Sequence, residues 1–239
     1  MRLVRDIPVT AFYTALVSVS TVAFTIYVPA TRGYFNIGEA AVYTAALLGG
    51  ARIGAFAGGV GSMLADLILG YYLFAPATLV IKGMEGGILG LLSSRPPALS
   101  HKAWRAISLA ASLGVFLMVT TIGAVFYSGF SEVSVGLPWF MSLNFTAELS
   151  FFFWVLIGGV ASSFVACTSL LSKPESGYLV LSSLLAGSVM VAGYFLYEQL
   201  LLGYVAIAEI PFNIGQVIIG IIIAVPAYAS LKAIKRPKM

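Results

Sequence analysis

The chain has 239 residues, of which 60% are hydrophobic and only 9% are charged, with a mean hydropathy of +1.00. A soluble domain carries about 25% charged residues, so this composition excludes an ordinary soluble fold and points to an integral membrane protein. The formal net charge of +4 does not indicate nucleic-acid binding, because the basic residues stand at segment ends and not in one patch.

A membrane-crossing helix needs about 20 mostly apolar residues. The first apolar stretch follows Arg2 and Arg5 and precedes Val28-Pro29-Ala30, which resembles a secretory signal. Its run from Ile7 to Val28 is too long for a signal core of about 7–15 residues, so an uncleaved helix at about 8–28 is predicted. Further helices are predicted at 53–70, 76–93, 104–128, 147–171, 178–202 and 211–231. Between 8–28 and 53–70 lies 38–50, whose 13 residues reach about 20 Å at 1.5 Å per residue. If 38–50 crosses, 11 of the 13 Lys and Arg residues fall on one side, leaving only Arg32 outside and Lys82 within a helix. The predicted fold class is therefore an all-α polytopic membrane bundle of about eight helices with both termini cytoplasmic.

The 28–37 loop carries Arg32, Gly33, Tyr34, Phe35 and Asn36, too aromatic for a solvated linker, and reads as a lid or as an interfacial anchor. Glu39 and Glu148 read as caps at helix N-termini. Around 49–62, small residues recur at spacings of four, as in Gly54 and Gly58, which lets helix backbones approach closely in lipid. Cys167 is alone and reads as a small buried hydrophobe. His101 has no second His or Cys beside it, so no metal site and no cofactor is expected.

Ionisable groups at bilayer depth cost roughly 2.5–3.5 kcal/mol each and are retained for a task. Here Asp66, Lys82, Glu85 and Glu198 all fall in the outer half of their helices, together with Asn213 and Gln216, three apart on one face. Tyr34 and Asn36 sit at the same level. These eight residues are the candidate substrate-binding set, forming a pocket open to the outside. The purely structural alternative is an Asp66–Lys82 ion pair plus an interhelical contact by Asn213 and Gln216. If Lys82 and Glu85 serve a ligand, Lys82→Met and Glu85→Gln should spare the fold and weaken binding. An excess of carboxylates favours a neutral or cationic ligand rich in hydrogen-bond donors.

Three blocks then carry a resemblance: 33–39 (GYFNIGE), 66–71 with 75–86 (APATLVIKGMEG), and 209–216 (EIPFNIGQ). They look like the substrate-binding (S) component of energy-coupling factor vitamin transporters, of the riboflavin or hydroxymethylpyrimidine type. The resemblance covers about 8–94 and 178–236, within a single membrane domain. Two departures stand out: Glu39 occupies a position often held by Asp, and a helix pair at about 104–171 is added to the family's usual six helices. The resemblance implies capture of a small water-soluble vitamin or precursor, with no enzymatic activity. It also implies partners, namely a transmembrane coupling subunit and two cytoplasmic ATPases, in a prokaryotic cell membrane. Docking in the family uses small residues four apart on helix 1, here Ala11 and Ala15. A self-sufficient secondary transporter or channel would favour internal inverted repeats, which are not evident. An intramembrane enzyme would need a catalytic constellation that the residues do not supply.

Overall fold

A computed structural model describes residues 2–28, 31–94, 100–137, 141–171 and 174–234. Helix α1 runs Arg2–Ala23, α2 Gly38–Leu69, α3 Ala75–Ser93, α4 His101–Tyr127, α5 Phe151–Leu171, α6 Pro174–Leu202 and α7 Ile210–Ile234. A 3-10 segment, Gly203–Glu209, joins α6 to α7. The chain is an all-α membrane bundle with one small addition, a sheet at one end. Large apolar side chains point outward along the helices, among them Val125, Phe152 and Leu200, as a surface facing lipid requires. Among the described residues five stretches are long and apolar enough to cross a membrane, two of which (38–69 and 177–232) contain a break.

The break in α2 is at Gly50, whose φ of 78° and ψ of −174° no side-chain-bearing residue adopts readily. The chain reverses there into two arms, 38–49 and 51–69. A Cβ on Gly54 would lie 2.8 Å from the Ala46 Cα, so the arms run back against each other. The two helices expected at 38–50 and 53–70 are these arms. The second arm ends at Gly70 in the left-handed conformation, whose amide bonds the Asp66 and Leu67 carbonyls. It then packs along α3 through glycines so closely that backbone meets backbone. A Cβ on Gly54 would come within 2.6 Å of the Gly86 carbonyl oxygen.

The sheet corrects two boundaries. The predicted helix 8–28 stops at Ala23, and Thr25–Val28 is instead strand β1, paired with β2, Gly33–Asn36. Three β-branched residues and a tyrosine make up the four-residue strand and favour extension over continued helix. The predicted helix start at 147 is likewise replaced by β4, Met141–Leu149, which pairs with β3, Gly129–Leu137. Glu148 therefore stands in a strand opposite Phe130 and caps nothing; the Ser150 hydroxyl accepts the Phe153 amide at 3.3 Å instead. Strand order is β2-β1-β3-β4, all antiparallel, with Ile26 opposite Val135 and Tyr27 opposite Ser134. Cys167, expected to be buried, is exposed on α5. Arg95, Lys173, Lys235, Arg236 and Lys238, which carry part of the charge bias, lie outside the described residues.

Two apolar cores hold the bundle. The larger joins α1, α2, α3, α6 and α7 around Tyr43, Leu89, Met190 and Ile221. The smaller joins α4 and α5 to α7 through Val119, Trp154, Ile214 and Ile218, with Val28 of β1 and Tyr127 beside them.

Candidate functional site

Five helices bring polar residues to the sheet end of the bundle. Thr21 stands near the end of α1; Glu39 begins the first arm of α2 and Asp66 ends the second; Lys82 stands in the first half of α3, Glu198 near the end of α6, and Asn213 with Gln216 at the start of α7. They line a cavity with about 550 Å³ of space between its atoms, open mouth included. Seven of the eight residues expected from sequence line it: Tyr34, Asn36, Asp66, Lys82, Glu198, Asn213 and Gln216. Glu85 does not. It sits behind Lys82, fully buried, accepting the Tyr43 hydroxyl at 3.1 Å.

The ion pairing differs from the expected one. Asp66 does not pair with Lys82; the Lys82 ammonium bonds Glu39 and lies 3.3 Å from Glu85. Glu39 is accordingly no solvent-facing cap but a buried partner, 1% exposed. Sequence paired Lys82 with Asp66 by equal depth, whereas the reversal at Gly50 folds the first arm of α2 back and brings Glu39 to the lysine. Asp66 instead accepts the Tyr34 hydroxyl. Burial first, and the Asp66 carboxylate second, hold the Tyr34 phenol well above its ordinary pKa. It therefore stays a hydrogen-bond donor at neutral pH. Tyr71, stacked on Tyr34 with centroids 4.6 Å apart, is pushed up to about 12, mainly by burial.

On the opposite wall, Asn36 donates to Gln216 at 2.9 Å, and Gln216 donates to Asn213 at 3.1 Å. Asn36 also accepts the Gly38 amide at 2.8 Å, which ties the hairpin to the start of α2. The β1–β2 hairpin thus covers the cavity and is fastened on two sides, by Tyr34 and by Asn36. A third fastening was not foreseen: Thr31 in the turn donates to Glu209 of the 3-10 segment. Thr21, Phe74, Thr78, Tyr194 and Glu209 also line the cavity without having been singled out from sequence. The aromatic run Tyr71-Tyr72-Leu73-Phe74 was a visible signal for two of these walls, whereas Thr21 and Thr78 gave none.

Ala11 and Ala15 lie far along α1 from this end, both exposed, beside Phe12, which is also exposed. Among the described residues no group of three or more His, Cys, Asp or Glu is placed to hold a metal ion.

The family model described as "ECF-type riboflavin transporter, S component" matches residues 2–136, more than half of the chain. A 77-residue stretch is 51% identical to an "Uncharacterized protein in gap 3'region" of Pyrococcus woesei. That stretch is 32% of this chain and 51% of the relative, so the chain spans about half the relative's length. An apolar multi-pass bundle, a buried polar cavity at one end and this match agree: the chain belongs to the S components of ECF-type transporters, membrane proteins that bind substrate for transport and are not enzymes.

Proposed function

We propose that the protein captures a small water-soluble vitamin or vitamin precursor from outside the cell and delivers it to an ATP-driven import machinery. The observation that carries this reading is the cavity itself. Polar side chains from five helices converge under a hairpin at one end of an otherwise apolar bundle. With eight crossings and cytoplasmic termini, as the loop charges favour, that end faces outward. Hydrolysis of ATP then belongs to two cytoplasmic partner subunits, reached through a transmembrane coupling subunit. The test is uptake by cells expressing the chain with and without the coupling module, together with mass spectrometry of small molecules retained by the purified protein. Uptake that persists without the ATPases would instead identify a self-sufficient transporter.

Docking on the coupling subunit is assigned to α1 at Ala11 and Ala15. Both are exposed on a helix with little internal packing, and a close helix contact tolerates no bulk. Ala11→Trp or Ala15→Trp is expected to abolish co-purification of the coupling subunit and ATP-dependent uptake while leaving ligand affinity unchanged. Normal uptake by both variants would move the docking face elsewhere.

The hairpin is assigned the role of lid. Opening it requires release of Tyr34 from Asp66 and Asn36 from Gln216. Saturating ligand is expected to slow amide exchange across 31–36 at least tenfold; exchange unchanged by ligand would show a fixed cover.

A further inference from the structure

The charges around the cavity do not balance. Lys82 is the only basic residue among those lining it, and its ammonium is already engaged by Glu39 and Glu85. Asp66, Glu198 and Glu209 remain with no basic partner in the wall. Asp66 is 3% and Glu198 4% exposed, and the Asp66 Oδ2 and Glu198 Oε2 atoms are buried without a hydrogen-bond partner. Native proteins rarely leave buried acceptors orphaned, and buried carboxylates without a countercharge are costly. Beside them stand the stacked rings of Tyr34 and Tyr71, with Phe74 edge-on to Tyr71 at 6.4 Å. Ring faces attract cations, and a low-dielectric cleft lined by one sign of charge concentrates the opposite sign.

We propose that the cavity takes a flat organic cation, a protonated arylmethylamine or a charged nitrogen heterocycle, with its positive charge between Asp66 and Glu198 and its ring against Tyr34, Tyr71 and Phe74. This rests on the capture reading above and narrows it. Neutral flavins and carboxylated or phosphorylated ligands lack the charge that the wall is missing.

The test uses benzylammonium, benzyl alcohol and benzoate, which share a ring and differ in charge, with riboflavin as a large neutral comparison. Binding to the purified full-length protein is measured by calorimetry. Benzylammonium is expected to bind at least tenfold more tightly than benzyl alcohol, and benzoate not at all. Asp66→Asn and Glu198→Gln should each reduce the preference for the cation to less than threefold. Glu198→Gln carries the comparison if Asp66→Asn fails to fold, because the Asp66 carboxylate holds Tyr34 whereas the Glu198 Oε2 atom has no hydrogen-bond partner among the described residues. Absence of benzylammonium binding, equal binding of the alcohol, or tight riboflavin binding that neither substitution weakens would overturn the proposal. Cation preference without ATP-dependent uptake would overturn only the importer reading, and uptake without cation preference only this one.

Discussion

Lys82→Met is expected to destabilise the folded protein by about 3–5 kcal/mol, the range for removing one partner of a buried ion pair. The Lys82 ammonium lies between two carboxylates, Glu39 and Glu85, which are 1% and 0% exposed. Methionine fills much of the same space and supplies no charge, so both carboxylates would be left in an apolar interior. The Tyr43 hydroxyl on Glu85 offsets only part of that loss. Unfolding in detergent measures the effect, and Lys82→Met/Glu39→Gln/Glu85→Gln should recover most of it, because the charges disappear together. A single variant as stable as the wild type would show that the ion pairs do not form. The substitution that sequence alone assigned to ligand affinity is therefore first a test of the fold.

The second large effect is one of sign. Alanine is a better helix former than glycine by about 1 kcal/mol, so Gly114→Ala, with nothing within 4 Å of the new Cβ, should stabilise by up to that amount. Gly86→Ala should instead destabilise by about 2–3 kcal/mol, because its Cβ would collide with the carbonyl of Gly54, and backbone cannot step aside. The same push separates α3 from α2, which carry Lys82 and its partner Glu39, so ligand binding should fall in parallel. Two alanine variants of equal stability would remove the close approach of these helices.

The helices were legible because the bilayer imposes a length and a composition, and polar residues in such segments mark the site by their cost. Asp66, Lys82, Asn213 and Gln216 were found in that way. The partners of Lys82 were not legible. Several carboxylates share its depth, and choosing among them requires the arms of α2 to be folded about Gly50. The strands were missed because β1 continues an apolar run without a polar break, and length then favours helix. The alternation in Gly129–Leu137 and Met141–Leu149 is a period-two signal, but it stands between long apolar runs whose lengths favour helix. Glu39 was misread since a carboxylate in the first turn of a helix has a sufficient local explanation. That local explanation hid the tertiary one.

The pairing of β1 with β3 ties the hairpin over the cavity to the α4–α5 segment. A shortened chain joining Ser94 to Pro174 would keep every helix expected of a six-helix core. It would also strip β1 of its only neighbour besides β2, at Ile26 and Tyr27. The Ala208 carbonyl would lose the Tyr127 hydroxyl, 2.9 Å away, and Ile214 and Ile218 would face lipid where Trp154 and Val119 now cover them. A two-stranded hairpin is marginal by itself, so the roof of the cavity stands on an abutment built from residues a hundred positions downstream. In this protein the cover of the cavity and the segment that buttresses it form one architecture.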